Sequence, residues 1–199
     1  ISVFSSMAYE SYSELQHSLG MFGNRINSYT YNPQTPVYNM MFNIKYLIQT
    51  DVSLAPSSNL YKKKYTTKNK KANVYENKYN LPIAYCVNSN IEDWITDEGN
   101  PFEIQSDFIK LATGYSNVFK NVDYISTDFD SATGDDVTEN GTYWLNKSDA
   151  SSKYGTETIT LSPTIDGNLY LYVKSSDLKS ITVNSEKVSD ITQNTDEEY

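Results

Sequence analysis

Histidine, cysteine and arginine occur once each in this chain of 199 residues, as His17, Cys86 and Arg25. A zinc centre draws on several nitrogen or sulfur ligands, and one His with one Cys cannot supply them. A Ser–His–Asp or Cys–His device would have to run through His17, whose helical surroundings offer no partner at the right spacing. A lone cysteine excludes an intrachain disulfide. Cys86 lies in the strand-like run PIAYCVN and is expected to be a buried, inert thiol. Glycine-rich phosphate loops are absent. No catalytic residue, metal site or cofactor is therefore expected. The near absence of arginine and a net charge of −9 argue against nucleic acid as a partner, since polyphosphate affinity comes from clustered basic residues. No apolar run approaches the ~18–20 residues that span a bilayer, and no charged-then-apolar signal peptide is present. Opening on Ile1, the chain is expected to be an excised, water-soluble region.

What is abundant is tyrosine, at 18 residues, in a chain with 14% aromatics and a mean hydropathy of −0.57. Tyrosine packs a ring and keeps a polar tip, so such a chain can hold a core under a wet, amphipathic surface. The length suits one large or two small domains.

The pattern predicts an α+β fold: a mixed subdomain over 1–117, a strand-rich, sandwich-like subdomain over 118–190 and a polar tail over 191–199. Ser6 opens a helix running to about Leu19, with Tyr12, Leu15 and Leu19 on one face and Gly20 as the stop. Thr35 and Pro36 read as the cap and first residue of a short helix bearing Val37, Met40 and Met41 on one face. A buried strand over Ile44–Ile48 follows. Leu60–Thr66 and Ala72–Glu76 read as two strands around a lysine-rich turn, and Leu81–Val87 as a core strand. The clearest local signature is a helix with Asn100 as cap, Pro101 first, Glu103 in the capping box and Gly114 as terminator. Its apolar face is Ile104, Phe108, Leu111 and Ala112, with Gln105, Asp107 and Lys110 toward solvent. Beyond it the period becomes two, with candidate strands Val118–Ser126, Gly141–Leu145, Glu157–Ser162, Asn168–Lys174 and Ser180–Val183.

Three groups of residues are candidates for binding. Lys62, Lys63, Lys64, Lys68, Lys70 and Lys71, interleaved with Tyr61 and Tyr65, form the one concentrated positive patch. It fits a solvated edge hairpin, whose lysines prevent pairing with other chains, or contact with an anionic polymer or lipid headgroups. Trp94, Trp144, Tyr143, Tyr170 and Tyr172 are glycan candidates, because flat rings stack on sugar faces; core packing is the competing fate of such rings. Carboxylates come third. Asp128, Asp130, Asp135 and Asp136 have the charge for calcium without the ligand order of an EF-hand. Glu92, Asp93, Asp97 and Glu98 surround Trp94, where a carboxylate pair could cleave a sugar or simply line a polar loop. The sequons at Asn140 and Asn146 are incidental outside a eukaryotic secretory pathway.

Two blocks carry a resemblance, Ser28–Asp51 (SYTYNPQTPVYNMMFNIKYLIQTD) and Tyr75–Ile83 (YENKYNLPI), flanked by the opening ISVFSSM and by NPFEIQSDFIKLATG. Their order resembles the extracytoplasmic region of YfhO-type bacterial membrane proteins, from Ile1 to Gly114 and more faintly beyond. The resemblance implies a region lying between transmembrane helices of a GT-C-type glycosyltransferase. Such an enzyme uses a lipid-phosphate-linked sugar to decorate a cell-surface polymer such as lipoteichoic acid. The family's catalytic carboxylate belongs to an early loop that nothing here matches, so the region is expected to bind or position the acceptor. Its expected partners are its own transmembrane region and the polymer. A structural cap or assembly domain, and a free-standing hydrolase using the acids near Trp94, are the rival readings.

Overall fold

The computed structural model describes residues 2–4, 10–23, 26–31, 35–50, 55–134, 145–147, 151–164, 167–173 and 179–187. They form an α+β fold, and the chain divides into two units, Ile1–Val118 with Leu169–Tyr199, and Phe119–Asn168.

In the first unit, β1 (Ser2–Phe4) pairs antiparallel with β2 (Ser28–Thr30) across α1 (Glu10–Ser18). Gly23 precedes β2 at φ +139°, where a Cβ would sit 2.2 Å from the Ser28 carbonyl oxygen; only glycine fits there. Thr35 caps α2 (Pro36–Met41) by accepting from the Tyr38 amide, and Pro36 stands at the first turn. A three-stranded antiparallel sheet follows, built from β3 (Tyr46–Gln49), β4 (Tyr61–Thr66) and β5 (Asn73–Asn77) in the order β3-β5-β4. After a 3₁₀ turn at Ser89–Asp93 comes α3 (Pro101–Thr113). Its capping box is complete: Asn100 accepts from the amides of Phe102 and Glu103, and Glu103 accepts from the Asn100 amide at 2.9 Å. Gly114 ends α3 in the left-handed conformation at φ 79°.

The second unit holds β6 (Asp123–Asp130), β7 (Ala132–Gly134), β8 (Leu145–Lys147) and β9 (Thr156–Ser162), paired antiparallel as β6 with β9 and β7 with β8. A sandwich needs two facing sheets, and the described residues of this unit show two ladders of two strands each. Back in the first unit, β10 (Thr182–Val183) and β11 (Glu186–Lys187) make a hairpin whose turn residues, Asn184 and Ser185, both have positive φ.

The core is centred on Leu19, Met21, Tyr38 and Ile104, with Leu15, Tyr29, Tyr31, Met41, Phe42 and Trp94 packed against it. Several expectations need correction here. Helix α1 turns Ser13 and Gln16 inward and leaves Tyr12 exposed, since Gln16 finds a buried partner and Tyr12 packs edge-on against Tyr29 with its rim in solvent; Leu19, just beyond the helix, is buried as expected. On α3, Ile104, Phe108 and Ala112 are buried as expected, with Leu111 half-buried, but Gln105 is fully buried rather than solvent-facing. Strand β3 is an exposed edge, not a buried strand. Leu81–Val87 is irregular and Ile83 is 92% exposed, because no strand edge among the described residues pairs with it; Cys86 is exposed with it. Residues 168–173 are likewise irregular rather than a strand, with Leu169 and Leu171 exposed. Ser6, Asp135, Asp136, Asn140, Tyr143, Trp144 and the 191–199 tail lie outside the described residues.

Candidate functional site

The lysine patch is placed by a tight turn between β4 and β5. Thr67 closes it through backbone bonds with Ala72 and Lys70, and its hydroxyl accepts from the Ala72 amide at 3.0 Å. Asn69 accepts from the Lys71 amide, and Lys70 takes positive φ. These bonds use no lysine side chain, and Lys68, Lys70 and Lys71 all remain exposed.

Register decides which residues share a face. Tyr46 opposes Glu76, which opposes Lys62; two positions along, Ile48 opposes Val74, which opposes Tyr65. A bulge between Lys63 and Tyr65 inserts Lys64, whose ammonium meets Glu76 at 2.9 Å on this same face. The opposite face carries Tyr61, Tyr75, Asn73 and Asn77, all buried, so the first face is the outward one. It is unusually apolar: Ile48 is 70% exposed, Tyr65 60% and Tyr46 50%. The Lys45 ammonium stands 5.5 Å from the Tyr46 ring centre. Hydrogen bonding to Lys64 and that lysine's charge hold the Glu76 carboxyl below its usual range, and the Glu76 bond raises Lys64 in turn. Both partners stay ionised and compensate one another.

The buried side of the sheet joins a polar network. The Asn39 amide donates to the Tyr61 hydroxyl at 2.7 Å and accepts from the Tyr31 hydroxyl at 2.9 Å. Tyr38 donates to Gln16, Thr35 donates to Gln105, and the Gln105 amide donates to the Leu19 carbonyl at 3.1 Å. Burial drives the Tyr38 hydroxyl well above its ordinary range. Ser13 Oγ and Gln16 Nε2 are buried in the same region without a hydrogen-bond partner among the described residues. Buried polar side chains leave no periodic apolar signal in sequence, so this network was invisible there.

The remaining candidates are dispersed. Trp94 is half-buried, donates Nε1–H to the Ile104 carbonyl at 2.9 Å and stands edge-on to Phe108 at 5.1 Å. Its ring thus packs on α3, as does that of Tyr170, 6.4 Å from Phe102. Tyr172 is exposed. Glu92, Asp93, Asp97 and Glu98 are all exposed around Trp94, and Asp128 and Asp130 are exposed on β6. Among the described residues no group of His, Cys, Asp and Glu is arranged to hold a metal ion, and no helix is long and apolar enough to cross a membrane.

No curated protein and no solved structure matches this chain. The family model described as bacterial membrane protein YfhO matches residues 1–199, the entire sequence. That match spans the opening block, the Thr35–Pro36 helix, the lysine hairpin and the capped α3 alike, and the chain belongs to the YfhO family of bacterial membrane proteins.

Proposed function

We propose that this region is an extracytoplasmic, non-catalytic module of a membrane glycosyltransferase that decorates a cell-surface polymer, lipoteichoic acid or a related glycan, and that it binds or positions the acceptor. The observation that carries the reading is a basic hairpin on a member of a membrane-protein family. Seven lysines face one glutamate between Asn59 and Tyr79, in a chain whose net charge is −9. An acidic molecule that concentrates its cations on one turn is suited to a linear polyanion. The exposed turn lysines Lys68, Lys70 and Lys71 are the first contacts for polymer phosphates, with Lys62, Lys63 and Lys64 behind them on β4. Tyr172, Tyr170 and Trp94 are the sugar-stacking candidates, with Tyr143 and Trp144.

Titration of the chain with poly(glycerol phosphate) tests this. Binding is expected to be weak and to fade between about 0.1 M and 1 M salt, as the Debye length contracts from ~10 Å to ~3 Å. Replacing Lys68, Lys70 and Lys71 together by Gln should abolish it, and no glycoside or lipid-linked sugar should be turned over. Flat curves for the unaltered chain would overturn acceptor binding, and reproducible turnover would overturn the non-catalytic role. A second reading, an assembly domain packed on the transmembrane part of its own polypeptide, is favoured by the exposed apolar segments at Leu81–Val87 and Leu169–Val173. It predicts no polymer affinity at any salt.

A further inference from the structure

We propose that the outward face of the β3–β5–β4 sheet docks on an anionic lipid surface. In this arrangement Tyr46, Ile48 and Tyr65 enter the headgroup region, and Lys45 and Lys62 reach lipid phosphates. The inference rests on the reading of the chain as the water-facing part of a membrane protein, and does not depend on polymer binding.

Three features of the face select this occupant. The first is the apolar row that register aligns across all three strands, Ile48–Val74–Tyr65, with Tyr46 beside it in the next row. Val74 is buried as its floor, while Ile48 and Tyr65 stand exposed on either side. A soluble phosphate polymer offers nothing to an exposed isoleucine; the acyl boundary of a bilayer does. The second is chemistry suited to depth. Tyrosine places a ring in the apolar layer and its hydroxyl in the wet one, and lysine extends an apolar stem with its charge at the phosphates. Lys45 already stands over the Tyr46 ring, so cation and aromatic ring are adjacent at one end of the face. The third is charge balance. The acid on this face, Glu76, is tied to Lys64 at 2.9 Å, leaving Lys45 and Lys62 to set the sign presented to a partner. A second copy of the chain would bring these lysines against their own kind, which disfavours self-pairing. An anionic leaflet is complementary in both charge and hydrophobicity, and each lysine near such a surface contributes a similar attraction.

Cosedimentation of the chain with vesicles of phosphatidylcholine alone, or mixed with phosphatidylglycerol, tests the docking. Binding to the mixed vesicles is expected, with little to the neutral ones. The pair Lys45→Gln and Lys62→Gln should weaken it roughly thirtyfold, at about a fivefold loss per lysine. The pair Ile48→Ser and Tyr65→Ser should weaken it about as much, with far-UV circular dichroism unchanged. Insertion is read separately through Tyr65→Trp, whose fluorescence should shift to the blue and be quenched by lipids brominated near the headgroup. Absence of binding to mixed vesicles, or binding that ignores the two serine substitutions and leaves the introduced indole unquenched, would overturn the proposal. Displacement of the vesicles by poly(glycerol phosphate), without any effect of the serine substitutions, would identify a polymer site instead. Vesicle binding by a chain that gives flat polymer titrations would retire acceptor binding and leave the docking intact.

Discussion

The region where α1, α2 and α3 meet and the outward face of the sheet invert the usual distribution of side chains. The first buries Ser13, Gln16, Thr35, Asn39 and Gln105; the second exposes Tyr46, Ile48 and Tyr65. The difference teaches that position follows the available partner rather than polarity alone. Gln105 is tolerated inside because Thr35 and the Leu19 carbonyl use both ends of its amide. Ile48 stands outside because it lies on an edge strand whose outward face has no layer over it within the described residues.

Phe108 sets the scale for an ordinary core contact. It is buried on α3 against the Trp94 ring, and Phe108→Ala should destabilise the chain by about 3–5 kcal/mol in urea denaturation. A loss under ~1 kcal/mol would mean that this face of α3 contributes little. Gln105→Ala should come close behind, at about 2–4 kcal/mol, because it opens a cavity and removes the acceptor of the Thr35 hydroxyl proton and the side-chain donor to the Leu19 carbonyl. Gln105→Leu separates the two contributions. If Leu restores most of the loss, the network is dispensable and the contrast with the sheet face is one of packing alone.

Ser13 breaks the comparison from the other side. Its hydroxyl is buried without a partner among the described residues, and serine is a weaker helix former than alanine. Ser13→Ala should therefore stabilise the chain by about 1 kcal/mol. Destabilisation, measured by the same denaturation, would show that the hydroxyl has an unrecognised role.

The rim of the core, where Tyr12 is only partly covered, should also respond to alkali. Burial and the neighbouring Tyr29 hydroxyl push Tyr12 up to about 12 from its ordinary 10.0. Because the folded value is the higher one, this contribution to stability is complete below about pH 10 and is lost as pH rises from there through about 12. Tyr12→Phe should flatten the fall in denaturation midpoint between pH 9 and 11. An unchanged slope would place the alkaline sensitivity elsewhere, with Tyr38 the next residue to examine.

Elements that carry their own stop and start signals were legible in the sequence. Asn100, Pro101, Glu103 and Gly114 delimit α3 through local bonds, and Thr35 with Pro36 does so for α2. The lysine hairpin was equally readable. The misread elements depend on something outside themselves. Leu81–Val87 has strand composition, but a strand exists only where another edge pairs with it; here Tyr85 reaches the Met41 carbonyl and Asn88 the Ala112 carbonyl, with no ladder between. Gln105 sits at a position whose solvent-facing appearance is set by residue type, while its burial is set by Leu19, 86 positions away. The candidate site shows the same division. Its lysines were identified from their run in sequence, whereas the apolar row beside them emerged only once the register was known.

The smallest expected effect is also the sharpest test of the contrast. Ile48→Ser and Tyr65→Ser remove apolar groups that remain largely in water in the folded chain, so little transfer free energy is at stake. Each should change stability by less than about 0.5 kcal/mol, as surface substitutions away from specific contacts do. Some cost is expected from lower strand propensity, and it should be larger for Tyr65, which adjoins the bulge at Lys64. Gln105→Ala and Ile48→Ser thus form a matched pair: the loss of a polar side chain should be severe and the loss of an apolar one nearly silent. Denaturation curves for the two variants under one set of conditions decide the matter. If Ile48→Ser costs more than about 2 kcal/mol, the sheet face is covered by another part of the folded chain. It would then be closed to a lipid surface, and the apolar row would belong to the interior after all.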